Sequence, residues 1–409
     1  ASLLGEITAY RSGATGNKTR EVSFSVFEAI PGKAFAYWLS DDAIRYFSEL
    51  PRLGSEGRVL KQGLATADDF RFIRCWWEPE PIASMNGSQK WYPFIKGVEN
   101  KIAYSETKLL VNWRQGGFEI KNNLNAKGLP RSNVWMLKET EANYFFRPGL
   151  AWPSRPHGKG FFSIVPQGCL FSHTSTMLFS DDEDIWGICA IVNSAPYSFL
   201  LHALMPRGGG NSGQTYQYEV GYVSSIPVPH EISSVEFDAL TLRAWQLGYL
   251  KASADETSHA FLLPEALRSY IGDYDPPKIE AKLAEIQAKI DDIAFDLYSF
   301  SDADRAAALG ASGTVDDGAS EGAEDADESE DDDGAEAIGQ TDGLLSWAVG
   351  VACGRFDWRL ATGEREAPPE PDPFDPLPAK SPGMLPDGAE PFHAHSGILV
   401  DDQGHPNDL

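Results

Sequence analysis

The clearest periodicity in the chain lies near residue 280. Ile279, Leu283, Ile286, Ile290, Ile293 and Leu297 recur at three- and four-residue steps, the spacing of one face of an α-helix. With Pro277 at its start, this pattern predicts an amphipathic helix of about 20 residues, roughly 30 Å long. Residues 184–205 also read as helical, and so do residues 341–354, which carry Leu344, Leu345, Trp347, Val349 and Val351. A short helix is predicted over 41–49, with Ser40 or Asp41 as its N-cap. Residues 51–230 follow another rhythm. Short strand-like runs (70–77, 109–113, 142–146, 160–165) alternate there with Gly, Pro and Asn breaks. That mixture predicts an α+β fold.

The pattern divides the chain into five parts. Residues 1–50 read as a connector and 51–230 as the mixed domain, which closes on Ile226-Pro227-Val228-Pro229, where the prolines stop any strand. Residues 231–309 are helical. Residues 310–340 hold almost no large apolar side chain and are expected to be disordered, because they bury too little surface to offset their ordering entropy. Residues 341–409 are a helical and then Pro-rich, extended tail.

Charge sharpens this division. The 409 residues carry a net charge of −26, which argues against nucleic acid as a partner. The distribution argues the other way. Residues 316–336 hold twelve acids and no Lys or Arg, whereas residues 52–159 hold 17 Lys and Arg against 10 Asp and Glu, a net +7. A basic globular segment and an acidic tract in one chain point to nucleic acid. No apolar run approaches the roughly 18 residues of a membrane helix, and no signal peptide is read at the start, so no membrane partner is expected. Cys75, Cys169, Cys189 and Cys353 are far apart without a C-x-x-C pair. They are expected to be buried, reduced thiols of a cytoplasmic protein, with no zinc site.

Four segments follow one another in order. They are Lys61-Gln62-Gly63-Leu64-Ala65-Thr66-Ala67-Asp68-Asp69, running on to Cys75-Trp76-Trp77; Lys90-Trp91-Tyr92-Pro93-Phe94-Ile95-Lys96-Gly97; Val111-Asn112-Trp113; and Gly117-Phe118-Glu119-Ile120-Lys121. As a series they resemble the target-recognition region of large N6-adenine DNA methyltransferases of the BREX (phage-growth-limitation) and DISARM type, and of their fused restriction–modification relatives. The likeness runs from about 50 to 360. It takes in the helix after Pro277 as a spacer and Leu344-Leu345-Ser346-Trp347, through Gly354-Arg355-Phe356-Asp357-Trp358-Arg359, as a segment behind it. It implies that 51–230 is a target-recognition domain reading a short asymmetric site in double-stranded DNA, in a phage-defence system. It further implies a catalytic half, in the same polypeptide or in a partner chain, that flips an adenine and uses S-adenosylmethionine. Other subunits of such a system are open as further partners.

The residues suggest where DNA would touch. Gln62 and Thr66 stand in the turn, while Asp68 and Asp69 are expected to cap or brace it. Ala67 occupies a position where the family usually has Gly. Lys90 and Lys96 suit phosphates, with Trp91 and Phe94 available to the core. Asn112, Arg114, Lys121, Asn122 and Arg131 belong to a basic, Asn-rich stretch suited either to a groove-facing loop or to solvated surface. Arg147, Arg155 and Lys159 follow the last of the series, and Arg207 and Asn211 flank a glycine-rich loop. His157 has no nucleophile beside it in sequence.

No catalytic or cofactor-binding residue is assigned. The methyltransferase loop Asn/Asp/Ser-Pro-Pro-aromatic has one near match, Asp275-Pro276-Pro277-Lys278, in which Lys replaces the stacking ring and a helix begins at once. No F-x-G-x-G loop is present. On this reading the chain alone is inactive and S-adenosylmethionine is bound elsewhere. The alternative is a non-enzymatic specificity subunit, or a scaffold whose acidic tract binds a basic partner.

Overall fold

The structure is a computed structural model. It describes residues 28, 30–34, 36, 39–79, 89–98, 102–156, 162–180, 184–205, 217–232, 234–312 and 340–392. The acidic tract, His157, Lys159, Arg207 and Asn211 lie outside the described residues.

The fold is α+β, as the pattern predicts. Helix α1 (Asp41–Glu49) starts where Ser40 accepts a hydrogen bond from the Ala43 N–H. Strand β1 (Val59–Lys61) leads through a turn to the single-turn helix α2 (Asp69–Phe72) and then β2 (Ile73–Cys75). Strands β3 (Trp91–Ile95) and β4 (Leu109–Asn112) precede α3 (Arg114–Lys121) and α4 (Lys138–Asn143). Four more strands follow: β5 (Gly149–Pro153), β6 (Ser163–Val165), β7 (Leu170–Phe171) and β8 (Ser175–Phe179). Then come α5 (Ile185–Val192), α6 (Ala195–Leu204), α7 (Val220–Ser225), α8 (Val235–Ala252), α9 (Pro276–Tyr298), α10 (Asp302–Ser312), α11 (Gln340–Ala352) and α12 (Arg359–Thr362).

The strands form two four-stranded sheets, ordered β1-β8-β5-β6 and β2-β4-β3-β7. The first is antiparallel, with Leu60 and Leu150 both opposite Leu178. The second includes one parallel pair, β3 with β7. Period-two alternation explains how the layers stack. From the first sheet, Leu150, Trp152, Ile164 and Leu178 face a core shared with α1, α5, α6, α8 and α9. Their neighbours Ala151, Val165, Met177 and Phe179 face a second core with Phe94, Val111, Leu170 and Phe171 of the other sheet. The first sheet is therefore a middle layer covered on both faces, which is why every residue of β8 is buried.

Two strand expectations give way to helix. In residues 70–77 the Asp68 carboxylate accepts the Arg71 N–H and starts α2, leaving only β2 extended. In residues 142–146 the chain is the end of α4, where the Tyr144 N–H reaches Thr140 O, followed by Phe146 at φ +68°. The helical run over 184–205 is two helices. Pro196 has no N–H to continue the ladder, and Ser194 is extended. Asn193 fastens the break by donating to Cys189 O and Phe162 O while accepting the Phe162 N–H.

The larger core takes residues from both sides of position 230, Val228 and Ile232 among them. Ala195 N–H donates to Asp291 Oδ1 (2.7 Å), Gln287 donates to Asn193 O (3.1 Å), and the Tyr298 hydroxyl donates to Pro227 O (2.9 Å). A small third cluster of Phe261, Val351 and Phe356, with Trp347, Trp358 and Met384, holds the C-terminal segment. Among the described residues no single helix is long and apolar enough to cross a membrane. The bent pair α5–α6 is rich enough in apolar residues but lies in the core.

The thiols divide. Cys169 and Cys189 are buried, and burial pushes both up to about 12, where they stay protonated at neutral pH. Cys75 is half-buried. Cys353 is exposed, against expectation, because it follows the last residue of α11 where the chain turns out to solvent.

Candidate nucleic-acid interface

The turn of residues 62–69 is fixed from three sides. Leu64 N–H donates to Phe171 O (2.9 Å) and Leu64 O accepts the His173 N–H (3.1 Å), so the turn runs along β7. A Cβ on Gly63 would lie 2.0 Å from Phe171 O, so no larger residue fits there. Asn133 clamps the turn from the other side. Its Oδ1 accepts the Ala65 N–H (2.7 Å) and its Nδ2 donates to Gly63 O (3.1 Å). Asp69 closes the third side, bonded to the Thr66 hydroxyl and paired with Lys96. Ala67 sits at φ +59°, the left-handed region where a glycine would be at ease. Ala67 holds this conformation at the cost of local strain.

The structure gathers some candidate residues here and separates others. Gln62 is exposed on the turn, while Thr66 is 3% exposed and its hydroxyl is taken by Asp69. Arg131 is exposed, and its N–H donates to Asn123 O. Arg114 and Asn122 are exposed on α3. Asn112 is 3% exposed and its side-chain oxygen accepts the Arg114 N–H (3.3 Å). Burial therefore takes Thr66 and Asn112 away from any partner surface, and their polar atoms shape the loops. Lys90 O accepts the Trp113 N–H, which sets Lys90 beside the start of α3. Lys121 pairs with Glu141 (2.5 Å) and lies over the Trp113 ring. Arg147 stacks over Tyr144 and Phe179. Arg155 stands apart, exposed beyond the end of β5.

Carboxylate use gives the region its charge character. Glu56 pairs with Arg58, Glu139 with Lys61, Glu141 with Lys121, and Asp69 with Lys96. Asp68 caps α2, Glu78 accepts the Cys75 N–H, and Glu106 accepts from Tyr104 and Ser258. Of the acids described between 52 and 156, Glu119 alone has no bond of this kind. Arg114, Arg131 and Arg155 form no ion pair among the described residues. Large apolar side chains stand out from the same segments: Phe70 is 94% exposed, and Phe118, Trp135 and Met136 are exposed too.

Sequence reasoning missed Asn133 and Phe70. Asn133 acts on a turn roughly 70 residues earlier, which no local pattern reveals. Phe70 looked like the start of a strand, and the Asp68 cap that turns it outward was the available signal.

Asp275-Pro276-Pro277-Lys278 does not fit a base-holding or cofactor loop. The Asp275 carboxylate accepts the Lys278 N–H as the N-cap of α9 and pairs with Lys278 Nζ (2.7 Å). No transfer step is derived through it. Among the described residues no group of His, Cys, Asp and Glu is arranged to hold a metal ion.

No family model matches the chain. Adenine-specific methyltransferase PglX of Lacticaseibacillus casei (strain Zhang) is 24% identical over 217 residues, 51% of this chain and 17% of that protein. Adenine-specific methyltransferase BrxX of Escherichia coli O9:H4 (strain HS) is 26% identical over 246 residues, 58% of this chain and 18% of that protein. The chain is similar to a part of these two adenine-specific methyltransferases. It matches about half of its own length and less than a fifth of theirs, in agreement with the resemblance to BREX enzymes read from the sequence. Among solved structures, the type IIL restriction–modification enzyme MmeI in complex with DNA aligns at a TM-score of 0.36 and 14% identity, covering 65% of this chain and 36% of that one. The type IIG restriction endonuclease BpuSI aligns at 0.30 and 11%, covering 72% and 38%.

Proposed function

We propose that residues 51–230 recognise the DNA target of a site-specific N6-adenine methyltransferase in a phage-defence system. The observation that carries this reading is the pinned turn and its surroundings. All the described carboxylates there but Glu119 are consumed internally, while Gln62, Lys90, Arg114, Asn122 and Arg131 remain available to a ligand, and Arg155 beyond the end of β5 adds to them. Arginines suit phosphates and guanine edges, and Asn and Gln suit adenine. Lys96, Lys121 and Arg147, already paired or stacked, support the surface rather than read it. The exposed Phe70 and Trp135 suit insertion against base steps. Lys159, Arg207 and Asn211 remain proposed contacts on sequence alone. Helices α8 and α9 serve as the spacer and share a core with the recognition part, so a contact on one is transmitted rigidly to the other. The catalytic half, in the same polypeptide or another chain, binds S-adenosylmethionine and flips the adenine.

Two measurements test this. The affinity of the chain for duplex DNA should fall steeply with salt, because several phosphate contacts release counterions. A salt-insensitive affinity would sink the binding claim. Single-molecule sequencing of adenine methylation, with and without the gene, should show an asymmetric motif that vanishes with the gene. Unchanged methylation favours the alternative, a specificity subunit or scaffold bound through the acidic tract. Deleting residues 310–340 then removes the partner, whereas on the recognition reading DNA binding survives or strengthens.

A further inference from the structure

Against β3 lies a cavity of about 780 Å³, within the roughly 300–1,000 Å³ of small-ligand sites. Trp91 and Tyr92 of β3 line it with Trp76 and Trp77, which follow β2, and Arg355, Leu377 and Pro378 line it from the C-terminal segment. Its charge is unusual for this protein. In a chain with 60 Asp and Glu, no carboxylate is among the described residues that line it, whereas Lys90, Arg355 and Lys380 are. Lys380 is paired with Asp387 (2.6 Å). Lys90 and Arg355 have no carboxylate partner among the described residues. Lys90 lies over the Trp91 ring at 5.1 Å.

His259 also lines the cavity. Its ring stacks on Trp76, with centroids 4.2 Å apart and planes 25° apart. It is 8% exposed, and neither ring nitrogen makes a hydrogen bond. The backbone of Pro378 and Thr107 lies near enough to favour its charged form, but burial outweighs them and lowers its pKa to about 4. The ring is neutral at physiological pH and offers one donor and one acceptor. Both ring nitrogens are shut off from the open space, so His259 serves the cavity as the ring that backs Trp76.

We propose that this cavity binds a single nucleotide. The planar base stacks among the indole rings, the exposed Gln167 amide meets its polar edge, and Lys90 and Arg355 hold its phosphate. Indole stacking accepts any base, and edge contacts then select among them. The nucleotide has two possible sources with one chemistry: a base extruded from DNA held on the neighbouring surface, or a free mononucleotide. Only the DNA source rests on the recognition reading above.

The test uses the whole chain. Calorimetric titration with each of the four 2′-deoxynucleoside 5′-monophosphates is set against ribose 5-phosphate. In parallel, a duplex with one unpaired 2-aminopurine is titrated with protein, because stacking quenches its emission. Saturable binding of a monophosphate, or saturable quenching, is expected, with ribose 5-phosphate silent. The double variant K90A/R355A, changed at polar positions on the cavity rim, should weaken binding roughly tenfold. Q167A, changed at an exposed position on the cavity wall, should narrow the differences among the four bases. Heat from a monophosphate without quenching identifies a free nucleotide as the ligand, and quenching alone identifies DNA. No saturable signal in either arm overturns the proposal, as does ribose 5-phosphate binding as tightly as the nucleotides. Affinity for an intact duplex, measured alongside, keeps the two readings apart. If that affinity holds while both arms are silent, the cavity proposal falls and the recognition reading stands.

Discussion

Asn133→Ala tests whether the recognition turn is held by one distant side chain. The substitution removes two hydrogen bonds, to the Ala65 N–H at 2.7 Å and to Gly63 O at 3.1 Å. A neutral hydrogen bond contributes about 1 kcal/mol net, and more where its loss strands a buried group. Gly63 is buried and Ala65 half-buried, so water replaces only part of what is lost. The expected destabilisation is about 2 kcal/mol, a factor of roughly 30 in the folded-to-unfolded ratio. Asn125→Ala is the matched control. Its Oδ1 accepts the Lys127 and Leu129 N–H groups within one exposed loop, where water substitutes readily, so its loss should stay near 0.5 kcal/mol. Urea unfolding should show a lower midpoint for Asn133→Ala with an unchanged slope, and duplex affinity should fall with it. If the two variants unfold alike, the turn does not depend on the clamp and the argument is wrong.

Three further outcomes are expected. Ala67→Gly relieves a left-handed backbone at φ +59° and should stabilise by about 0.5 kcal/mol after the entropy of the freer unfolded chain is allowed for; a lower melting temperature would contradict it. Burial lowers the His259 pKa from 6.5 to about 4, so the unfolded chain takes up its proton first as pH falls. Stability is full above about pH 6.5 and should decline by up to about 3 kcal/mol toward pH 4, and H259F should flatten that slope relative to the parent. The side chain of Asp357 is fully buried and bonds Arg359 and Arg365, each at 2.8 Å. Burial disfavours its charge, but the two guanidiniums outweigh burial and hold its carboxyl below the usual range. Asp357→Asn should cost about 3 kcal/mol in the C-terminal segment, the low end for a buried pair because both guanidiniums keep contact with water. Limited proteolysis should then cut near α12 faster, and an unchanged rate would count against the pairing.

Much of the fold was legible because its signals are local. Ser40 caps α1 and Asp275 caps α9, each by the side-chain bond that their residue types predict. The three- and four-residue spacing from Ile279 to Leu297 places Ile279, Ile286 and Ile290 in the core. Reading failed where a cap and an apolar run compete. Residues 70–77 are aromatic enough for a strand, but Asp68 satisfies the Arg71 N–H and a helical turn wins. Strand partners were not legible at all. Leu60 pairs with Leu178 across more than a hundred residues, and period-two alternation says which face a residue takes, not which strand lies beside it.

The candidate site was legible in composition but not in geometry, and the reason is electrostatic. A count of +7 over residues 52–159 treats every charge alike. In the fold, seven carboxylates of that segment are bonded to the chain itself, as caps, as ion pairs, or as partners of Tyr104 and Ser258. A carboxylate held in an ion pair contributes little field beyond it, and so does the cation that holds it. Lys61, Lys96 and Lys121 are therefore weaker candidates than their charge suggests, and Arg114, Arg131 and Arg155 are stronger. The same reasoning separates Lys90 and Arg355 from Lys380 in the aromatic cavity, since Asp387 already holds Lys380. A sequence shows which residues are basic; only the pairing of acids with their neighbours shows which of those bases are left to meet a phosphate.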